Sequence, residues 1–237
     1  MKALSFGGGV QTTALITLIA RKELLTPDVI AFSDTGCEWP ETYDFLERYT
    51  KPLLRKLAIP FVTVRHAKPL MEYYRQYRAI PQAFQRSCTD NFKVRPLAKE
   101  FKKLGIIEEW IGFSEEEQGR AKRKTERPIR KNIIAKFPLI DLGLNRADCA
   151  SEIERFGWPV PPKSACICCP FQHPSRIAEL SRAHPDLFEQ VAQMEDKAIE
   201  RKPGYYISRL PWRQMAQPQM QFEGDWSYGC AEGYCLR

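Results

Sequence analysis

Short apolar runs alternate with helically periodic stretches through the first third of the chain, the form that repeated strand–helix units of a parallel sheet take in sequence. Ala3 to Phe6 reads as a strand. From Val10 to about Lys22, the residues Val10, Ala14, Leu15, Leu18 and Ile19 recur at helical spacing. Val29 to Phe32 reads as a short buried strand, Glu41 to Leu57 as a helix and Phe61 to Val64 as a third strand. A helix over Val94 to Lys103 and a strand over Glu108 to Phe113 continue the pattern. The expected fold is α/β, with an open, parallel-type sheet and helices on both faces.

The periodicity then breaks on charge. Seven basic residues against one Glu lie between Arg120 and Lys131, preceded by Glu115, Glu116 and Glu117. This stretch is expected to be a mobile surface loop. After Asp141, helices separated by proline-rich loops take over, with Trp158-Pro159-Val160-Pro161-Pro162 the clearest break. Leu187, Val191, Met194 and Ala198 form one apolar stripe, read as core packing. The expected organisation is an α/β domain over residues 1–145, a helical cysteine-containing extension over 146–204 and a tail or wrapping segment over 205–237.

A chain of 237 residues with 43% hydrophobic content can bury one sizeable core. A net charge of +7 favours anionic partners, a nucleotide, RNA or DNA, without choosing among them. No apolar stretch is long enough to span a bilayer, and the first residues run into glycines rather than a signal-peptide core. A cytoplasmic protein with no membrane partner is expected. In that reducing compartment, eight cysteines point to metal binding, redox chemistry or burial. None of the three histidines belongs to a hydrolase triad, and His173 is read as a capping or packing residue. Nothing in the sequence sets the oligomeric state.

Ser5-Phe6-Gly7-Gly8-Gly9-Val10-Gln11-Thr12-Thr13 falls where a strand ends and a helix begins. Consecutive glycines let backbone N–H groups approach an anion, and the helix N-terminus adds partial positive charge. Thr12 and Thr13 can add hydroxyl donors. The loop lacks the Gly-Lys-Ser/Thr ending of a Walker loop and the spaced glycines of dinucleotide folds. It resembles the PP-loop of the adenine nucleotide alpha hydrolase superfamily, with Gly7 where the usual pattern has Ser and Gln11 where it has Asp. A neutral amide supplies no charge to Mg²⁺, which only an ATP ligand would require. That departure matches the phosphoadenosine phosphosulfate (PAPS) reductases, whose loop also carries Gln and which do not split ATP.

Further stretches carry the resemblance to that family. Asp34-Thr35-Gly36-Cys37-Glu38-Trp39-Pro40-Glu41-Thr42-Tyr43 is similar to its Asp-Thr-Gly-x-x-Phe-Pro-Glu-Thr-Tyr segment, with Trp39 in place of Phe. Cys88-Thr89-Asp90-Asn91-Phe92-Lys93-Val94-Arg95-Pro96-Leu97 resembles its Cys-Thr-x-x-Leu-Lys-x-x-Pro-Leu segment. Ile111 to Ala121 resembles the family's Gly-x-x-x-x-Glu-x-x-x-Arg segment, with Arg120 the candidate for anion binding, and Cys166-Ile167-Cys168-Cys169-Pro170-Phe171 resembles Cys-x-x-Cys-Pro-Phe. Together these stretches span residues 1–195 in the family's order.

The resemblance implies a fold of the adenine nucleotide alpha hydrolase type with a helical C-terminal part. It implies an adenine nucleotide, PAPS, adenylyl sulfate or ATP, held by Ser5, Gly7, Gly8, Gly9, Gln11 and Thr12. Asp34, Thr35 and Gly36 would frame the adenosine, and Lys93, Arg95 and Arg120 would neutralise the anion.

The Cys166–Cys169 spacing lets one turn direct two thiolates at a single metal. Family resemblance adds Cys88, and Cys168, Cys149 or an exogenous ligand can complete a [4Fe-4S] site. Zinc, with His173, is the alternative. Cys230 and Cys235 form a second thiol pair, loosely similar to the nucleophilic cysteine tail of PAPS reductases.

The implied function is sulfur transfer or sulfonucleotide reduction, with a thiol or sulfide donor as partner. The alternatives are an ATP-dependent nucleic-acid thiolation enzyme and a non-catalytic nucleotide- or nucleic-acid-binding module.

Overall fold

The computed structural model describes residues 1–126 and 132–217. They fall into two compact units. The first comprises Met1–Asp34, Trp39–Val64 and Val94–Ser164, and the second comprises Thr35–Glu38, Arg65–Lys93 and the described residues from Ala165 onward.

The first unit is built on a five-stranded sheet of β1 (Lys2–Phe6), β2 (Val29–Asp34), β3 (Phe61–Arg65), β4 (Glu108–Ile111) and β5 (Ile134–Lys136). Their spatial order is β3-β2-β1-β4-β5. β1 runs parallel to both β2 and β4, and β4 runs parallel to β5. Every residue of β2 is buried, which is why it reads as a continuous run rather than an alternation. The register sets Phe6 opposite Phe32 and Ser5 opposite Ile111, so three strands end along one edge.

The Val10–Ala20 helix leaves β1 through the glycines and packs against the Arg146–Arg155 helix. Nine of its residues are buried, from Val10 through Ile19, because neighbours cover it on most sides. The expected helix over Glu41 to Leu57 runs as Pro40–Phe45, Leu46–Thr50 and Lys51–Lys56, the middle piece a wider π turn. A second π turn, Asp90–Val94, leads into the Arg95–Leu104 helix. Pro52 and Pro96 follow these turns, and the wider turn relieves the clash of a proline ring with the carbonyl four residues back.

Two expectations change. The charged stretch begins as a helix, Gln118–Glu126, rather than a loop, while residues 127–131 lie outside the described residues. The cause is local: Ser114 and Glu117 form a capping box that starts a helical turn directly before it. β5 was not anticipated, being three residues long and mostly exposed, with no apolar alternation to mark it.

In the second unit the Pro174–Ala183 and Pro185–Arg201 helices pack on each other and on the short Trp212–Met215 helix. Val191, Met194 and Ala198 are buried, and Leu187 is half-buried, as the apolar stripe predicts. Residues 205–217 wrap into this core through Ile207, Trp212 and Met215. No helix among the described residues is long and apolar enough to cross a membrane.

Glu195 fastens the wrap. Its buried carboxylate accepts the backbone N–H of Ile207 at 2.7 Å and of Trp212 at 2.6 Å. Glu195→Ala leaves both donors buried and unpaired, with an expected loss of about 2–4 kcal/mol in urea denaturation. On the surface, Arg213 donates two hydrogen bonds to Glu189 at 2.8 and 2.9 Å and holds its carboxyl down to about 2. A carboxyl with a depressed folded pKa stabilises above its unfolded value and loses that contribution as pH falls through the folded one. Arg213→Ala is therefore expected to flatten the fall in melting temperature between about pH 4.5 and 2, read by thermal scans across that range.

Candidate functional site

In the first unit, the C-terminal edge of the sheet gathers the loop after β1, the end of β2 and the loop after β4. Gly8 has φ +71°, and a Cβ there would stand 2.9 Å from the Thr42 methyl, so the turn needs glycine in both conformation and space. The end of β4 approaches equally closely: a Cβ on Gly112 would lie 2.7 Å from the Thr12 methyl. Gly9 is the N-cap of the Val10–Ala20 helix. Thr12 ties the turn together, its hydroxyl accepting from Gly7 N at 3.4 Å and donating to Gly9 O at 3.2 Å.

Polar side chains around this turn are held in place. Gln11 accepts from Arg146 at 3.1 Å and donates to Glu117 at 3.4 Å. Glu117 is also paired with Arg120, whose guanidinium lies 4.3 Å from the centre of the Phe113 ring. Ser5 donates to Glu109 at 2.6 Å, and Asp34, buried at the end of β2, accepts from Tyr43 at 2.6 Å. Arg95 is exposed at the start of its helix. Glu117, Arg146 and Glu109 were not among the sequence candidates. The Ser114-Glu115-Glu116-Glu117 cap was the available signal for Glu117, but Arg146 lies 135 residues from Gln11 and carried none.

The second unit holds a thiol-rich site. Thr35–Glu38 follows β2 directly in the chain and forms an antiparallel bridge between Glu38 and Cys166, with Ile167 N donating to Cys37 O at 2.7 Å. The Thr35 hydroxyl lies 3.2 Å from the Cys166 sulfur, 3.4 Å from the Cys37 sulfur and 3.2 Å from the Glu38 carboxylate. Cys37 and Cys168 sulfurs are 3.9 Å apart. Lys93 donates to Glu38 at 2.9 Å.

Gly36, at φ +71°, packs against Pro69. Thus Thr35, Gly36 and Lys93, expected at a nucleotide, are built into this unit, and Thr35 and Lys93 have their polar groups turned to thiols and carboxylate. Cys88 and Cys169 act electrostatically on Cys168. Cys37 was missed because the Asp-Thr-Gly-x-x-Phe pattern specifies no residue at its place.

The electrostatics favour neutral thiols. The Cys166 thiol is pushed well up by its hydrogen bond with Cys37 and by burial. The bond with Cys166 lowers the Cys37 value, but the bond with Cys168 and burial outweigh it. Burial opposes the Lys93 charge, yet Glu38 and the nearby thiols hold its pKa well above the usual lysine range.

Cys149 is a core residue of the first unit, its pKa driven up to about 12 chiefly by burial. His173 caps the Pro174–Ala183 helix through Ser175 N at 3.2 Å. Cys230 and Cys235 lie outside the described residues. Among the described residues, no group of three or more Cys, His, Asp or Glu side chains stands in metal-holding geometry. By donor type, the thiols suit a soft metal or an iron–sulfur cluster.

A parallel sheet whose central strand passes through a glycine turn into a helix N-terminus defines an α/β protein of the nucleotide-binding type. Residues 2–146 match the phosphoadenosine phosphosulfate reductase domain, and the chain belongs to that family. It is 25% identical over 139 residues to phosphoadenosine 5'-phosphosulfate reductase of Yersinia enterocolitica, covering 58% of this chain and 55% of that protein. The corresponding enzyme of Sodalis glossinidius is 27% identical over the same length, with the same coverage. The chain thus spans about half the length of the curated relatives it matches. The crystal structure of PAPS reductase from Candida auris, in its phosphate complex, shares the fold at a TM-score of 0.51 and 16% identity, over 68% of this chain and 74% of that one.

Gly8→Ala forces a Cβ into the left-handed region against Thr42. The expected cost is about 1–2 kcal/mol of stability, measured by denaturant unfolding, whereas Gly7→Ala, with open space at its Cβ, leaves stability unchanged.

Proposed function

We propose that the chain binds a sulfated or phosphorylated adenine nucleotide at the Gly7–Thr12 turn and carries out sulfur chemistry on it, sulfonucleotide reduction or sulfur transfer. The observation that carries this reading is the glycine turn into a helix N-terminus on the central strand, in a chain of the PAPS reductase domain family. Loop N–H groups and the helix N-terminus stabilise the anion. Arg120, fixed by Glu117 and Phe113, offers a cation already oriented, and Arg95 adds a second. Asp34 accepts a hydrogen bond from the Tyr43 hydroxyl and so positions it.

In the reductive form of the reaction, a cysteine thiolate attacks the sulfur of the sulfonucleotide. A sulfur–sulfur bond forms, the sulfur–oxygen bond to the phosphate breaks, and the adenosine phosphate leaves. A second thiol then displaces sulfite, forming a disulfide that an external thiol donor reduces. Cys230 and Cys235 are the proposed thiols for these steps. Cys88, Cys166, Cys169 and Cys168 would hold a [4Fe-4S] cluster or zinc, which when bound supplies Lewis-acid and sulfur-binding chemistry.

Two measurements test the proposal. Purified chain is titrated with adenosine 3',5'-bisphosphate by calorimetry, and sulfite release from PAPS is followed with a dithiol reductant. Saturable binding that weakens about tenfold or more in Gly8→Ala, with sulfite release lost in the Cys230→Ser/Cys235→Ser variant, is expected. Binding of ATP with its turnover, and no binding of the bisphosphate, would replace this reading with ATP-dependent thiolation. Nucleotide binding without any turnover would leave a binding module. Iron and sulfide analysis of anaerobically purified wild type and Cys166→Ala decides the cluster: iron present in the first and lost in the second supports it, and iron in neither removes it.

A further inference from the structure

Cys37 and Cys168 come from segments 131 residues apart, yet their sulfurs stand 3.9 Å from one another with the side chains 4% and 1% exposed. Backbone contacts hold the two segments together. Ile167 N donates to Cys37 O, Glu38 bridges Cys166, and Cys169 N donates to Cys166 O at 3.1 Å, which places Cys168 inside a tight turn. A disulfide needs its sulfurs about 2.05 Å apart, so an approach of about 2 Å completes the bond.

Cys166 also meets Cys37, and it is held in addition by Thr35 at 3.2 Å and the Glu38 carboxylate at 3.5 Å. Cys37, by contrast, lies outside the proposed cluster ligands, and Cys88, Cys166 and Cys169 remain for a metal if Cys168 pairs with it.

We propose that Cys37 and Cys168 form a reversible dithiol–disulfide couple, a two-electron redox site that oxidation closes and thiols reopen. The oxidant is a low-molecular-weight disulfide of the glutathione class. One cysteine, as thiolate, attacks a sulfur of that disulfide, forming a mixed disulfide and releasing one small thiolate. The other cysteine attacks the protein-side sulfur, the internal sulfur–sulfur bond forms, and the second small thiolate leaves. The two protein thiols are oxidised, the oxidant is reduced to two small thiols, and the two protein thiol protons end on them. Closing the bond fixes the Thr35–Glu38 segment, which follows β2, to the turn at Cys166–Cys169. Burial makes the exchange wait on local opening, so the couple responds slowly to ambient thiols.

The site does not depend on nucleotide binding and is tested separately from it. Full-length wild type, Cys37→Ser, Cys168→Ser and Cys166→Ala are equilibrated in glutathione buffers of increasing oxidised fraction, each with and without prior chelator treatment. After acid quenching and alkylation in denaturant, the samples are digested without reduction and mapped by mass spectrometry.

A peptide linking Cys37 to Cys168 is expected in wild type and in Cys166→Ala, absent from both serine variants and removed by dithiothreitol. Linkage in the chelator-treated sample alone also supports the couple and shows that bound metal competes for Cys168. Alkylation of both thiols in the most oxidising buffer, with and without chelator, would overturn it, as would linkage of Cys37 to Cys166 or Cys169 instead. If the variants fail to fold, the wild-type map decides by the same criteria. Iron content, measured on the same samples, reports the cluster independently.

Discussion

The first unit depends on β1. As the central strand it satisfies its backbone groups on both sides, against β2 and β4, and its buried Ala3, Leu4 and Phe6 face packed neighbours. Because both pairings are parallel and their registers are fixed, the chain exits three strands along one edge. The glycine turn is the consequence: immediately after Phe6 the backbone must reverse into a helix within space already occupied by Thr42 and Thr12. Only residues without a Cβ pass through at Gly8 and Gly112.

The surrounding charges follow the same economy of positions. Gln11 is neutral, but it is clamped between Arg146 and Glu117, and Glu117 in turn fixes Arg120. A carboxylate at position 11 would gain Arg146 and face Glu117. The amide accepts from one and donates to the other. Gln11 is thus compatible with its local charge pattern, and Glu117 leaves the guanidinium of Arg120 in a defined orientation.

The second unit works under a different constraint, the low dielectric around its thiols. Burial favours the neutral form of Cys37 and Cys166, while the Glu38 carboxylate is paired with Lys93. Thiols in such surroundings are poor nucleophiles until a metal, a nearby cation or local opening releases a proton. The family match over residues 2–146 covers the sheet, Cys37 and Cys88, whereas Cys166, Cys168 and Cys169 lie beyond it.

The sequence by itself determined the strands β1 to β4, the helices that follow β1 and β2, the Arg95–Leu104 helix, the glycine turn and the apolar stripe of the Pro185–Arg201 helix. These are encoded locally, by periodicity, by glycine and by burial of contiguous runs. The charged stretch from Arg120 was misread because net charge was weighed above the Ser114–Glu117 cap, a local signal that was present. Only the tertiary structure decided that Cys37 meets Cys166 and Cys168, that Cys149 is core, and that Thr35 turns its hydroxyl to thiols. Those contacts join segments more than a hundred residues apart, and their partners are chosen by how the chain folds back on itself, which spacing along it does not record.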